Sequence, residues 1–497
     1  MLKQKFLLSY TSKIGIQLIQ LISNIVVARI AGPTIIGTIA FGLSFVNMFS
    51  FIGNLGMASA HIKLMNEGYE TGSCITVYSI IHVSTKFLFL LVVIAYYLIQ
   101  KFAFNYSFES EVHEKVIFIF LLMSIIQTFI DIPLSTFIAK TEQAKQDISE
   151  LIKQGILQPS RIVAVLLGGQ ALALSLVNFS AVLIVIPVYW YFHKTYSFGK
   201  FNKTLLKKYM NYAIPLISIG IASSLIHTLD KVLLQYFWNS EEVGYYSAAY
   251  RISSIFLTMS FAVANLFFPL FAKSFNEKKY GYIQDKIDKF EHLMFVFMMP
   301  IMIFIMVYSD TIVHLLLGEK FLPSVNTLSV LTCAMFIYMI SIPYGNLITG
   351  IGLFKLTAII NIINLIIMCS FMVIFVHPSF MNMKSTGTAY AMLVSYFYLF
   401  LVFRFVIQKY APQIKVHWNI RYLLYGIINF TFFYYLYNFL STRQPLITAI
   451  VFPLVYITVT FSTLYFLKLL TKQDLQFMFS LFKVKNLFQY INNEIRQ

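Results

Sequence analysis

Three stretches, ITVYSIIHVSTKFLFLLVVIAYYLIQ (75–100), FKLTAIINIINLIIMCSFMVIFV (354–376) and LITAIVFPLVYITVTFSTLYFLKLL (446–470), each carry one lysine and no other formal charge. About 20 apolar residues at a rise of about 1.5 Å cross the hydrocarbon core of a bilayer, so each run is long enough to span as a helix. A transmembrane barrel would show alternating segments of about 10 residues instead, and none are present. The rest of the chain agrees. Of 497 residues, 59% are apolar and 11% charged, against about 45–50% and about 25% in a soluble domain. The sequence predicts an all-α integral membrane protein.

Fourteen spans are readable, at about 8–31, 35–60, 75–99, 116–138, 150–168, 171–192, 208–237, 243–271, 290–314, 324–349, 354–376, 386–408, 419–440 and 446–470. A net charge of +17 would fit nucleic acid, but its distribution follows the spans. With the N-terminus in the cytoplasm and charges near a span end counted with the adjoining side, 26 of the 37 Lys and Arg fall on the inner side, 6 on the outer side and 5 deeper within spans. That asymmetry orients the chain with both termini in the cytoplasm. It leaves no role for nucleic acid.

Cys74, Cys333 and Cys369 lie in or beside separate spans without metal-ligand spacing, so they read as packing residues. No metal or cofactor is expected. The first span lacks a small-residue cleavage site and runs straight into a second, unlike a removable signal peptide. The longest outer connection, about 100–115, is too short to house a catalytic domain. From Thr471 onward, Phe and Leu alternate with Lys, as in a basic amphipathic helix on the inner leaflet.

VARIAGPTIIGTIAFGL (27–43) lies over LQYFWNSEEVGYYSAAY (234–250) at a constant offset of 207, with Gly37 over Gly244. Both segments turn on the outer side and continue into small residues that let helices approach closely. The expected organisation is therefore a six-helix unit over 1–193, a cytoplasmic linker over 194–207, a second six-helix unit over 208–409, two further spans over 410–470 and the tail 471–497.

ARIAGPTIIGTIAFGLSFVNMFSFIGNLGMASA and TLDKVLLQYFWNSEEVGYYSAAYRISSIF resemble the two hallmark regions of Wzx-type polysaccharide flippases. These form the polysaccharide-transporter branch of the multidrug/oligosaccharidyl-lipid/polysaccharide (MOP) exporter superfamily. The resemblance covers essentially the whole chain. It implies two six-helix bundles in a V, a central cationic cavity and alternating access. It also implies an undecaprenyl-diphosphate-linked oligosaccharide as cargo for O-antigen, capsule or exopolysaccharide assembly, in contact with membrane lipids and with a polysaccharide polymerase and chain-length regulator as partners.

Charges inside a bilayer cost about 2.5–3.5 kcal/mol each on insertion scales, so they pair or line wet cavities. Lys86 and Arg161 each lie about 16 Å into their spans by helical rise. Lys13 and Asp131 fall in the inner half. Three cations against one anion suit an anionic cargo, because a diphosphate offsets their desolvation. The alternative is that they snorkel, or that Asp131 pairs with one of them; Asp131 is also a possible coupling residue. Asp230 and Arg251 sit at equal depth on adjacent helices and are expected to form a structural or gating ion pair. Lys231 should then point about 100° away from Asp230 and serve as a fourth cavity cation. His82 and His227 read as packing residues.

Two other functions fit less well. A drug or cation antiporter of the multidrug branch would favour intramembrane acids, and only Asp131 and Asp230 qualify. A membrane-embedded polymerase or ligase would need a larger outer loop. The expected protein is a flippase and not an enzyme.

Overall fold

The computed structural model describes residues 2–103, 108–213, 217–443, 445–474 and 476; among these, the side chains of 2–14, 217–219, 222–223, 258–266, 269, 442–443 and 445–450 are excepted. Every regular element among the described residues is helical. The described residues divide into two compact units, one up to Ser247 and one from Ala248 onward.

The first unit contains α1 (Leu2–Ala31), α2 (Pro33–Met48), α3 (Ser50–Asn54), α4 (Met57–Asn66), α5 (Thr71–Phe102), α6 (Glu111–Ile126), α7 (Thr128–Ala139), α8 (Gln143–Leu166), α9 (Ala171–His193), α10 (Lys203–Ala213), α11 (Ile217–Ile226), α12 (Leu229–Phe237) and most of α13 (Ser240–Ser253). The second contains α14 (Ile255–Asn276), α15 (Tyr280–Leu293), α16 (Met299–Val307), α17 (Ser309–Leu316), α18 (Val325–Gly350), α19 (Phe354–Val376), α20 (Lys384–Tyr410), α21 (Ile420–Arg443) and α22 (Pro445–Phe466).

Seven helical stretches among the described residues are long and apolar enough to cross a membrane, or nine if each of two bent pairs is one span. The expected spans 8–31 and 446–470 contribute the shorter apolar helices Gly15–Ala31 and Val451–Phe466. The span expected at 150–168 is carried by α8, whose charged and amide side chains keep it out of that apolar set.

The division at Ser247 lies well beyond the linker expected at 194–207, for a packing reason. α10 reads KTLLKKYMNYA, with Leu205, Tyr209 and Ala213 recurring on one face. That face is buried against Met57, Ala60, Cys74 and Tyr78 of α4 and α5. Just before it, a side chain on Gly72 would come within 2.9 Å of the Gly199 backbone nitrogen. Thr76 Oγ1 also donates to the Gly199 carbonyl at 2.8 Å. The connection thus lies flat on the start of α5. α12 packs on α2, so the whole segment up to α13 belongs with the first six spans.

α2 and α13 begin 207 residues apart, at Pro33 and Ser240. A side chain on Gly37 would lie 1.6 Å from the Ser240 carbonyl oxygen, and one on Gly244 would lie 2.0 Å from that of Pro33. The two glycines of the sequence repeat are therefore in mutual backbone contact, which only a missing Cβ allows.

In the second unit, α18 packs on α14 and α20, and α19 on α20. Its most buried charges are Arg404 of α20 and Glu291 of α15, each 1% exposed and paired through Arg404 Nη2 and Glu291 Oε1. Asn419 donates to Glu291 Oε2 at 2.7 Å. The guanidinium lies over the rings of Phe400 and Tyr344, 3.8 and 4.4 Å from their centroids.

Candidate functional site

Two spans of the first unit are broken. α2 gives way to α3 and α4 with a bend of 48°, and α6 to α7 with a bend of 42°. The first break closes on Leu55 and Gly56, both left-handed, at φ 42° and 74°. The second falls at Gln127, ahead of Pro133. Pro133 has no N–H for the carbonyl four residues earlier, and that carbonyl, Phe129 O, instead accepts the Trp190 indole N–H at 2.9 Å. Interrupted membrane helices expose backbone polar groups that must be satisfied by protein or by a wet cavity.

α5 places Lys86 between the breaks. Its Nζ is 3.4 Å from the Ser124 carbonyl in the last turn of α6 and 3.8 Å from Asp131 Oδ2 in the first turn of α7. A Cβ on Gly53 would come within 3.0 Å of the Lys86 stem, so the glycine makes the slot in which the lysine lies. Thr85, one residue earlier, donates to the Gly53 carbonyl at 2.9 Å. His82, one turn before Lys86, brings Nε2 to 3.3 Å from the same Asp131 oxygen. Gln127 donates to the other carboxylate oxygen at 3.4 Å. Lys86 and Asp131 are thus brought together, and His82 joins them as a polar partner that the sequence reading had left as packing.

A buried chain continues from His82 toward α10. Tyr78 stacks between His82 and His61, with ring centroids 5.3 and 4.4 Å away, and its hydroxyl meets Ser135 at 3.0 Å. His61 Nδ1 meets Tyr209 Oη at 2.8 Å.

Arg161 lies in a different cluster. It is 7% exposed on α8 and donates to Asn24 Oδ1 of α1 at 2.8 Å and to Gln158 Oε1 at 3.3 Å. Gln158 donates to Gln154 at 2.7 Å and Gln154 to Glu150 at 2.6 Å, while Lys153 meets Glu150 at 3.4 Å. These residues recur every three or four positions, so they form one stripe along α8. That spacing inside an expected span was the signal that could have found the stripe in the sequence.

Asp230, 1% exposed, already has two partners in its own unit: Lys231 Nζ at 3.0 Å and the Tyr246 hydroxyl at 2.8 Å. Lys231 therefore does not stand apart as a fourth cavity cation. Adjacent helical positions diverge, but lysine's flexible four-carbon stem folds back onto the short aspartate. Arg251, its expected partner, falls in the second unit. The Lys13 side chain lies outside the described residues.

At the turn between α12 and α13, Glu109 gathers three donors. Its Oε2 accepts from the Ser240 backbone N–H at 2.8 Å, the Ser240 hydroxyl at 2.6 Å and Gln235 Nε2 at 2.8 Å. His113 Nε2 meets the Ser240 hydroxyl at 2.6 Å. Partial burial pushes the Glu109 carboxyl upward, but the bonds from Ser240 and Gln235 outweigh it and hold the group below the usual carboxylate range. No trio of His, Cys, Asp or Glu among the described residues converges as metal ligands.

The family model for polysaccharide biosynthesis proteins matches residues 26–326, more than half of the chain. The chain belongs to that family. Over 168 residues it is 25% identical to the teichuronic acid biosynthesis protein TuaB of Bacillus subtilis (strain 168), covering 33% of this chain and 34% of that one. The match therefore spans about a third of that relative's length. Among solved structures, the lipid II flippase MurJ in an inward closed conformation superposes with a TM-score of 0.71, at 14% identity, over 93% of this chain and 99% of that one. An inward-facing multidrug transporter of the MATE family and MOP superfamily gives 0.63, at 13% identity, over 80% and 98%. The fold of this family member is that of MOP transporters, as the sequence resemblance implies.

Proposed function

We propose that this family member is a flippase that carries a lipid-linked oligosaccharide, with an undecaprenyl diphosphate anchor, from the inner to the outer leaflet of a bacterial cytoplasmic membrane. The observation that carries the reading is Lys86, held in a glycine slot where two broken spans meet. A cation at such a break suits an anionic head group, since bound phosphate oxygens offset its desolvation. Arg161 is the second cation, and its planar fork fits two phosphate oxygens at once. The stripe of amides beside it matches the hydroxyl-rich chemistry of a glycan, which amide groups bind by donating and accepting together. The membership in a polysaccharide biosynthesis family supports a sugar cargo, and the likeness to a lipid II flippase supports a lipid-linked one. The polymer served is a surface polysaccharide, taken up by a polymerase on the outer face. Membrane potential assists, because each negative charge moved outward releases about 2.3 kcal/mol per 100 mV.

The test is a double replacement, Lys86→Ala with Arg161→Ala, in the native host. The expected result is normal membrane abundance, loss of surface polymer and accumulation of lipid-linked repeats on the inner leaflet. Arg161→Lys should restore only part of the output, since charge is kept and the bidentate grip is lost. Normal polymer from the well-expressed double variant would remove both residues from the cargo path.

A further inference from the structure

The Lys86 site contains its own anion. Asp131 Oδ2 faces both basic groups, Lys86 Nζ at 3.8 Å and His82 Nε2 at 3.3 Å. Asp131 is the most accessible of the three, with 27% of its side chain exposed against 13% for Lys86 and 3% for His82. His82 Nδ1 is buried and has no hydrogen-bond partner among the described residues. Around the cluster, α4 contributes His61 and α5 Tyr78. α9 contributes Tyr189, within electrostatic reach of Asp131 and of Glu150 and Asp147 on α8. α6 contributes no charged side chain at the break, only the carbonyl of Ser124.

We propose that Asp131 is a resident counter-ion that competes with an anionic head group for Lys86, so that binding of a phosphorylated lipid at this site takes up one proton. In the empty site the carboxylate offsets the ammonium charge. A phosphate group that replaces it on Lys86 leaves two anions side by side in a poorly hydrated place, where like charges disfavour ionisation. The carboxylate then accepts a proton from the aqueous phase on Oδ2; no other bond forms or breaks. His82 stays hydrogen-bonded to that oxygen and keeps the protonated group in place. The proton lowers the net negative charge of the loaded carrier, which eases passage of a diphosphate through a medium of low dielectric. The identity of the anion as a diphosphate rests on the function proposed above; the competition for Lys86 rests on the geometry.

Farnesyl diphosphate, a prenyl diphosphate without sugar, probes the site in the purified full-length protein. Calorimetric titration in two buffers of different ionisation enthalpy gives the protons taken up per molecule bound. Proton exchange by the probe itself is common to all variants. Wild type should take up about one proton more than Asp131→Asn, which should bind at least as tightly, while Lys86→Gln should bind about tenfold more weakly. Asp131→Glu should keep the uptake, which guards against a fold defect in the amide variant. Equal uptake in wild type and Asp131→Asn, or loss of uptake in Asp131→Glu with binding intact, would overturn the proposal and leave the flippase reading standing. Absence of binding to monodisperse wild type would sink the diphosphate reading and this proposal with it.

Discussion

Gly37 and Gly244 occupy matching places at the starts of α2 and α13, each pressed against the turn from which the other's helix begins. The hypothetical Cβ of Gly37 meets the Ser240 carbonyl at 1.6 Å and that of Gly244 meets the Pro33 carbonyl at 2.0 Å. Both pairs repeat at the sequence offset of 207, so this is a self-complementary contact between two copies of one motif. A methyl group at either position forces the turns apart. Gly37→Ala and Gly244→Ala should each destabilise by about 1–3 kcal/mol, and the double variant by less than the sum, because the second methyl enters space the first has opened. Thermal unfolding of the purified variants measures both effects. Full additivity would mean that the glycines do not share one contact.

Glu109 ties the start of α6 to the start of α13 through Ser240 and Gln235. Its folded pKa lies below the ordinary glutamate value of 4.5. Its stabilising contribution is therefore present above about pH 4.5 and lost as pH falls through the folded value. Wild type should lose thermal stability over that acidic window more steeply than Glu109→Gln, which has no such group to protonate. Parallel profiles for the two proteins would detach the carboxylate from the clasp.

Arg404 and Glu291 should behave as a unit within the second compact body. Arg404→Met leaves a carboxylate buried without its guanidinium, and Glu291→Gln leaves the guanidinium without its anion. Each should cost about 3–5 kcal/mol, while Arg404→Met combined with Glu291→Met should cost less than either alone. Folded yield and thermal midpoint report this directly. A double variant worse than both singles would show that the pair is not what each charge depends on.

Orientation is open to chemical labelling. Cysteines at Glu111 and Glu241 should react with an impermeant thiol reagent added to intact cells, and cysteines at Lys203 and Lys278 should not. The proximity of Glu109 to Ser240 already puts the two expected outer segments at one end of the first unit. Labelling at 203 from outside would invert the topology drawn from the lysine and arginine distribution.

The sequence made the repeat legible because glycine at a close backbone contact has no substitute, and two such glycines at one offset leave a visible mark. Lys86 and Asp131 were legible as charges out of place, and their pairing was one of the options open. His82 was not, because a histidine in a span looks the same whether it packs or bonds. The two breaks beside Lys86 were hidden for a related reason. The bends sit at Phe49–Gly56 and at Gln127, and neither break falls on a proline, the residue that most visibly interrupts a helix. Arg404 sat among the inner-edge charges, and its partner Glu291 is 113 positions away. Only the packing of α15 against its neighbours brings them together. The packing of α10 was hidden for the same kind of reason, since the face that binds α4 and α5 follows a Lys-rich stretch that reads as a linker.

The hydrogen-bonded stripe on α8 bears on how the protein is made. Lys153, Glu150, Gln154, Gln158 and Arg161 satisfy one another and Asn24 only once α8 is helical and α1 is already beside it. A segment with so many polar groups partitions poorly into lipid when it leaves the translocon alone. The turn at Leu167–Gln170 joins it directly to the strongly apolar α9. Biogenesis should therefore hold α8 at the protein-conducting channel until α9 emerges, and release the two as a hairpin onto an α1 that has waited in the bilayer for its partner.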